Sequence, residues 1–138
     1  MGKHIVMYDP GTADEWIDAI RQKVSACYEQ REDSLCLSMT VHFVFRRPKS
    51  HFRSGRNAHL LKDSAPDKHT SKPDLDNAIK LVCDTLGTPK KPLVYSDDSC
   101  VVTIIASKRW AKPDEPSGMR LLLNEVRDQA EVQPLDPS

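Results

Sequence analysis

What this 138-residue chain lacks narrows the field before any motif is read. It has no CxxC pair: Cys27, Cys36, Cys83 and Cys100 stand apart, so the usual spacing of a structural zinc site is missing. Cys36, Cys83 and Cys100 lie in apolar runs and read as small core hydrophobes, Cys27 less clearly so. No apolar run approaches the roughly 20 residues needed to span a bilayer, so no membrane segment is expected. The opening MGKHIVMYD has neither a long apolar segment nor a small-residue cleavage site, so no secretory leader is expected. Val6 stands where myristoylation of Gly2 would want Ser or Thr. Unpaired cysteines fit a reducing, intracellular compartment, cytoplasmic if the chain is bacterial or from a phage. There is no internal repeat, and the length suits one domain with one core.

A strong net charge is also missing, since the formal charge is zero. The distribution says more than the sum. Residues 46–72 hold eight Lys or Arg and two Asp, so this segment is positive by six and the remainder negative by six. A chain polarised in this way can hold a polyanion locally while neutral overall.

Periodicity outlines the elements. TADEWIDAIRQKVSACYEQ is expected to be a helix, with Thr12 and Glu15 at capping-box spacing and Trp16, Ile17, Ile20, Val24 and Tyr28 on one apolar face. LCLSMTVHFVF alternates with period two and reads as a half-buried strand. Residues 46–72 have no sustained periodicity, and a loop this long in a small domain is functional or disordered. PDLDNAIKLVCDTLG reads as a second helix, with Pro73 at its start, Gly87 in the C-cap place, and Leu75, Ile79, Val82 and Leu86 as its stripe. SCVVTIIASKRW is nearly continuous in apolar residues, which predicts a strand buried on both faces. MRLLLNEV and HIVMY are the remaining strand candidates. The expected fold is α/β (α+β): one domain over 1–125, a mixed sheet packed with two main helices, then a polar tail over 126–138.

The chemistry concentrates in SKPDLDNAIK and VYSDDSCVV. Asp74 and Asp76 at a helix start are open to a bland reading, because acidic groups there cap free N–H groups and favour the macrodipole by about 0.3–1 kcal/mol each. Asp97 and Asp98 have their own bland reading as turn residues. Together, however, Asp74, Asp76 and one of Asp97 or Asp98 make a set of hard oxygen donors. That is what Mg²⁺ takes, along with water and phosphate oxygens. Such an ion activates water and stabilises the leaving oxygen of a phosphodiester. Lys80, one turn beyond Asp76, is placed to neutralise developing charge or orient the water; its alternative is an ion pair with Asp76 or Asp84. The basic segment just upstream would hold a nucleic-acid backbone.

These residues resemble the RusA family of Holliday junction resolvases. The pattern is a D-L-D-N helix start, a lysine four residues after the second Asp, a D-x-L near the helix end, and a D-D-x-x-V before a strand ending in lysine. Here those places are filled by Asp74, Leu75, Asp76, Asn77, Lys80, Asp84, Leu86, Asp97, Asp98, Val101 and Lys108, and the likeness extends over about residues 39–125. The resemblance implies a Mg²⁺-dependent endodeoxyribonuclease, with Mn²⁺ as a possible substitute. It implies a homodimer that resolves four-way DNA junctions by paired nicks in opposed strands, in recombination and repair. It assigns Asp74, Asp76 and Asp98 as metal ligands and catalytic residues, Lys80 as the catalytic lysine, and Asp97 and Asn77 as supporting residues. Arg46, Arg47, Lys49, Arg53, Arg56 and Lys72 are the expected DNA contacts. The start, MYDPGTADEW, matches the family poorly, and the segment Arg46–Arg56 is expected to compensate.

Two other functions fit the same residues: a structure-tolerant branched-DNA or flap nuclease, and a non-catalytic DNA-binding module whose aspartates only cap. The histidines are irregularly spaced and none is expected to be catalytic; His69, near SKPD, is the best placed, as a phosphate contact. Phe52 is expected to pack its loop rather than wedge into DNA, and Trp110 to pack rather than stack on a base.

Overall fold

The computed structural model describes residues 4–28 and 36–126. The elements are β1 (His4–Tyr8), α1 (Ala13–Cys27), β2 (Cys36–Phe45), α2 (Leu75–Leu86), β3 (Val101–Trp110) and β4 (Gly118–Val126). They form a single α+β domain with a mixed four-stranded sheet in the order β1-β4-β2-β3. β4 runs antiparallel to both β1 and β2, whereas β2 and β3 are parallel. β1–α1–β2 is therefore a crossover whose two strands are parted by β4, and β2–α2–β3 is a second crossover between direct neighbours. Of the expected tail, only Val126 falls inside a strand; 127–138, and the helix and strand ends expected at 29–30 and at Leu35, lie outside the described residues.

Alternation decides which face of the sheet is covered. Ile5 and Met7, Leu37, Met39, Val41 and Phe43, and Met119, Leu121 and Leu123 point the same way into one core. Ile20 and Val24 of α1 and Val82 and Leu86 of α2 pack on them, so both helices lie on one face. Thr12 caps α1 as its spacing predicts: its hydroxyl oxygen accepts from the Glu15 N–H at 3.3 Å. Arg21 of α1 donates to the Thr85 carbonyl in the last turn of α2 at 3.1 Å, which sets a cation at the negative end of that helix.

Three expectations change. β3 is not buried on both faces. It is the sheet edge, with Val102 48 %, Ile104 44 % and Ile105 58 % exposed. Its apolar run signalled a central strand, but the chain has helices for one face only and no further strand beyond β3 among the described residues. Gly87 does follow α2, yet its backbone is extended (φ 161°), not left-handed. Glycine is needed there for space, since a Cβ would stand 1.8 Å from the Tyr95 carbonyl oxygen. That approach lets Val94 N–H reach the Leu86 carbonyl at 2.8 Å and the buried Tyr95 hydroxyl donate to the Cys83 carbonyl at 2.7 Å. Finally, residues 46–72 are built, not formless. Phe52 pairs with Leu61 as an isolated bridge, flanked by short 3-10 turns at Lys49–His51 and Gly55–Asn57.

The connection from β3 to β4 passes the end of β2 and is braced by a two-pronged ion pair. Arg109 donates through both terminal nitrogens to the Glu115 carboxylate at 2.6 Å each. That pairing, with the Lys112 N–H as a further donor, holds the Glu115 carboxyl down to about 2.

Two outcomes follow from these contacts. Gly87→Ala lowers the urea midpoint by an amount equivalent to about 1–3 kcal/mol, because the methyl group meets backbone that cannot yield. The carboxyl of Glu115 is depressed in the folded state, so its stabilising share is present above about pH 4.5 and fades as pH falls toward 2. The advantage of the natural protein over Glu115→Gln in thermal unfolding is therefore present at pH 6 and gone at pH 2.

Candidate active site

α2 begins at Asp74, which takes the N-cap place with extended backbone (φ −67°, ψ 143°). Its carboxylate caps nothing: no side-chain hydrogen bond closes the helix, and the group instead receives Lys72 Nζ at 3.3 Å. That pair is largely exposed and contributes little to stability. Two residues on, Asp76 is exposed, and with Lys80 and Asp84, also exposed, it forms the polar face that the four-residue spacing predicts. Among the described residues, Asp76 and Lys80 have no hydrogen-bond or ion-pair partner, so the i, i+4 pair is not made.

The second acidic pair divides in two. Asp97 caps the short 3-10 turn Asp98–Cys100, its carboxylate accepting from Ser99 N–H at 3.3 Å. Asp98 is exposed, and its carboxylate has no hydrogen-bond partner among the described residues; its backbone carbonyl accepts from the Val101 N–H. The turn packs against α2. The charge of Asp98 is felt there: after burial, it is the next cause raising the Cys83 thiol. Thus Asp97 is used by the turn and Asp98 is open, a division that sequence pattern leaves undecided.

The donor set is carboxylate oxygen, the chemistry a hard divalent cation takes, and such an ion needs only one or two carboxylates when water and substrate phosphates complete its shell. No group of three or more His, Cys, Asp or Glu side chains is arranged to hold a metal ion among the described residues. The protein side chains alone do not close a cage.

The basic segment has mixed duties, and its first residues face the 111–116 connection. Arg46, Arg47 and Lys49 line a cleft of about 440 Å³ together with Phe52, which is half-buried in its wall. Arg46, Lys49 and Arg56 are exposed. Arg47 is half-buried, donates to the Pro66 carbonyl at 2.7 Å and sits 5.7 Å from the Trp110 ring centre. Arg53 donates to the Leu61 carbonyl at 3.2 Å and pairs with Asp63 at 3.5 Å. Trp110 packs, as expected. His69 does not face solvent: it is 6 % exposed, stacked on Trp110 at 3.9 Å and edge-on to Phe45 at 5.0 Å. No phosphate reaches it. Burial first, then the charge of Lys108, holds its pKa below the ordinary histidine value.

Lys108 had no role in the residue-level reading. Its ammonium donates to the Ser71 carbonyl at 2.7 Å and the Pro73 carbonyl at 3.0 Å, immediately before Asp74. The available signal was its spacing: Lys108 and Trp110 are two apart on β3, opposite Phe43 and Phe45, and so share the helix-covered face.

The domain thus carries exposed carboxylates on α2 and, separately, a cleft lined by Arg46, Arg47, Lys49 and Lys112 as well as Asp114 and Glu115. The sequence model of the family described as Endodeoxyribonuclease RusA matches residues 1–115, and the chain belongs to that family. The match begins at residue 1 and ends at 115, so it takes in the opening segment expected to match poorly and stops short of the expected end at 125. No curated protein matches the chain. Membership makes it a nuclease of the Holliday junction resolvase family, with branched DNA as the implied substrate.

Proposed function

We propose that this protein is a Mg²⁺-dependent endodeoxyribonuclease that resolves four-way DNA junctions by paired nicks, in recombination and repair, with Mn²⁺ able to substitute. The observation that carries the reading is that Asp74, Asp76 and Asp98 are not used by the fold. Asp74 leaves its helix uncapped, and Asp76 and Asp98 are exposed, their carboxylates without partners among the described residues. As placed, Asp74, Asp76 and Asp98 do not form a three-residue group that could hold an ion; in this reading they would take it together with water and the substrate's phosphate oxygens, and the ion would supply an activated water and a counter-charge for the leaving oxygen. Lys80, on the same exposed helix face as Asp76, offsets charge developing on the scissile phosphate. Asn77 supports the helix start and Asp97 keeps the Asp98 turn in shape. Arg46, Lys49, Arg56 and Lys72 meet the DNA backbone. Arg47 and Arg53 shape the loop that presents them. The catalytic unit is residues 1–125, followed by the tail 126–138, and the compartment is intracellular, where branched DNA is found. No helix among the described residues is long and apolar enough to cross a membrane.

A homodimer suits a substrate with two-fold pseudo-symmetry, each protomer presenting one site. The sheet offers the surface for a second copy. Its face opposite the helices is uncovered among the described residues, and Val6 (42 % exposed), Tyr8 (67 %) and Ile105 (58 %) lie on it. Exposed apolar side chains of this size on this sheet face offer a second copy something to bury.

Two experiments decide these points. A labelled four-way junction incubated with Mg²⁺ is nicked in opposed strands, and EDTA abolishes the reaction. Asp76→Asn and Asp98→Asn each lower the rate by about 100-fold or more while binding persists. Both variants unfold within about 1 kcal/mol of the natural protein, since neither carboxylate has a hydrogen-bond or ion-pair partner among the described residues and Asp76 contributes only through its place in the first turn of α2. Tight binding without cleavage by the natural protein would leave a binding module, and equal cutting of flaps would leave a structure-tolerant nuclease. Sedimentation equilibrium gives a dimer that Ile105→Asp converts to monomer; an unchanged mass in that variant places the contact elsewhere.

A further inference from the structure

We propose that Lys108 is a positioning residue for the α2 carboxylates. It acts through the segment 66–73, and the inference rests on the nuclease reading above. This segment leads directly into Asp74 and belongs to neither helix nor strand. Its backbone carbonyls are met by side chains instead. Arg47 donates to Pro66 at 2.7 Å, Trp110 Nε1 to Lys68 at 3.1 Å, and Lys108 Nζ to both Ser71 at 2.7 Å and Pro73 at 3.0 Å. Lys108 is half-buried and makes no ion pair among the described residues. An ammonium has three donors. Two of them grip the carbonyls on either side of Lys72, in the residues just before the helix. The next carbonyl, that of Asp74, accepts the first helical bond from Ala78 N–H at 3.1 Å. Lys108 thus ties the end of β3 to the point where α2 starts and to the carboxylates carried there.

The surroundings favour this use of the charge. His69 fills the space behind Lys108, stacked on Trp110, and neither ring nitrogen has a partner among the described residues. A neutral imidazole there sets no like charge against the ammonium. Lys108 and Trp110 stand opposite Phe43 and Phe45, so the clamp rests on the rigid β2–β3 pair rather than on a loop. Reactions that depend on held geometry lose about 100-fold for a displacement near 1 Å, even when the change is far from the reacting atoms.

The test compares the natural protein with Lys108→Met, which removes the donors at similar length, and Lys108→Arg, which retains them. In Lys108→Met the amide resonances of 74–78 shift and the Ala78 amide exchanges faster, while those of 82–86 stay. Junction cleavage loses kcat by about tenfold or more at nearly constant KM, and half-maximal activity needs more Mg²⁺. Lys108→Arg recovers most of the kcat. The proposal is overturned if Lys108→Met leaves the 74–78 amides unmoved, or if kcat and the Mg²⁺ requirement remain at their natural values. If the natural protein cuts nothing, the nuclease reading fails, and the amide measurement still decides whether Lys108 sets the start of α2.

Discussion

The stretch between residues 66 and 73 depends on one kind of contact: a side-chain donor reaching a backbone carbonyl that no helix or strand will satisfy. Polar backbone close to a core must find partners, and the chain here has no neighbouring strand to offer. Arg47, Trp110 and Lys108 fill that need from β3 and the end of β2. The result is a backbone path into α2 held at four carbonyls by side-chain donors. Without that path, the helix would keep its apolar stripe on the core but lose its register against the turn that carries Asp98.

The helix itself gives up stability at its start. An N-cap aspartate whose carboxylate accepts from no helix N–H forgoes about 1 kcal/mol that the same residue could supply. A local rule broken without local compensation is expected where function competes with folding. α1 offers the contrast within the same chain: Thr12 takes the ordinary cap, and its hydroxyl also donates to the Glu15 carboxylate at 3.1 Å, so both bonds serve the helix start. The two aspartates at 97 and 98 repeat the contrast at closer range, one bonded into its turn and the other open.

Much of this was legible in the residues. β1, β2, β4 and both helices announce themselves because each has one covered face, so burial imposes a clean period of two or 3.6. Asp76, Lys80 and Asp84 share an exposed face because spacing alone decides it. β3 misled because an apolar run signals cover without saying whether cover comes from this chain. The role of Gly87 could not be read, since it depends on Tyr95 arriving from eight residues away to press its carbonyl on that spot. The same applies to His69: its burial is made by Trp110 and Phe45, which are distant in sequence, and a histidine near an acidic motif looks like a ligand until its neighbours are known. Local pattern reports periodicity and chemistry; long-range packing decides which polar groups are free.

The insertion of β4 between β1 and β2 bears on how the protein comes into being. During synthesis β1 precedes the other described strands, and its one strand partner among the described residues, β4, is the last of them to be made. β2, α2 and β3 can associate as a local unit, yet α1 has no complete sheet to rest on until residues 118–126 arrive. Long-range closure of this kind is slow relative to local pairing. A chain ended before β4 would lack the strand that joins β1 to β2, leaving the sheet in two parts.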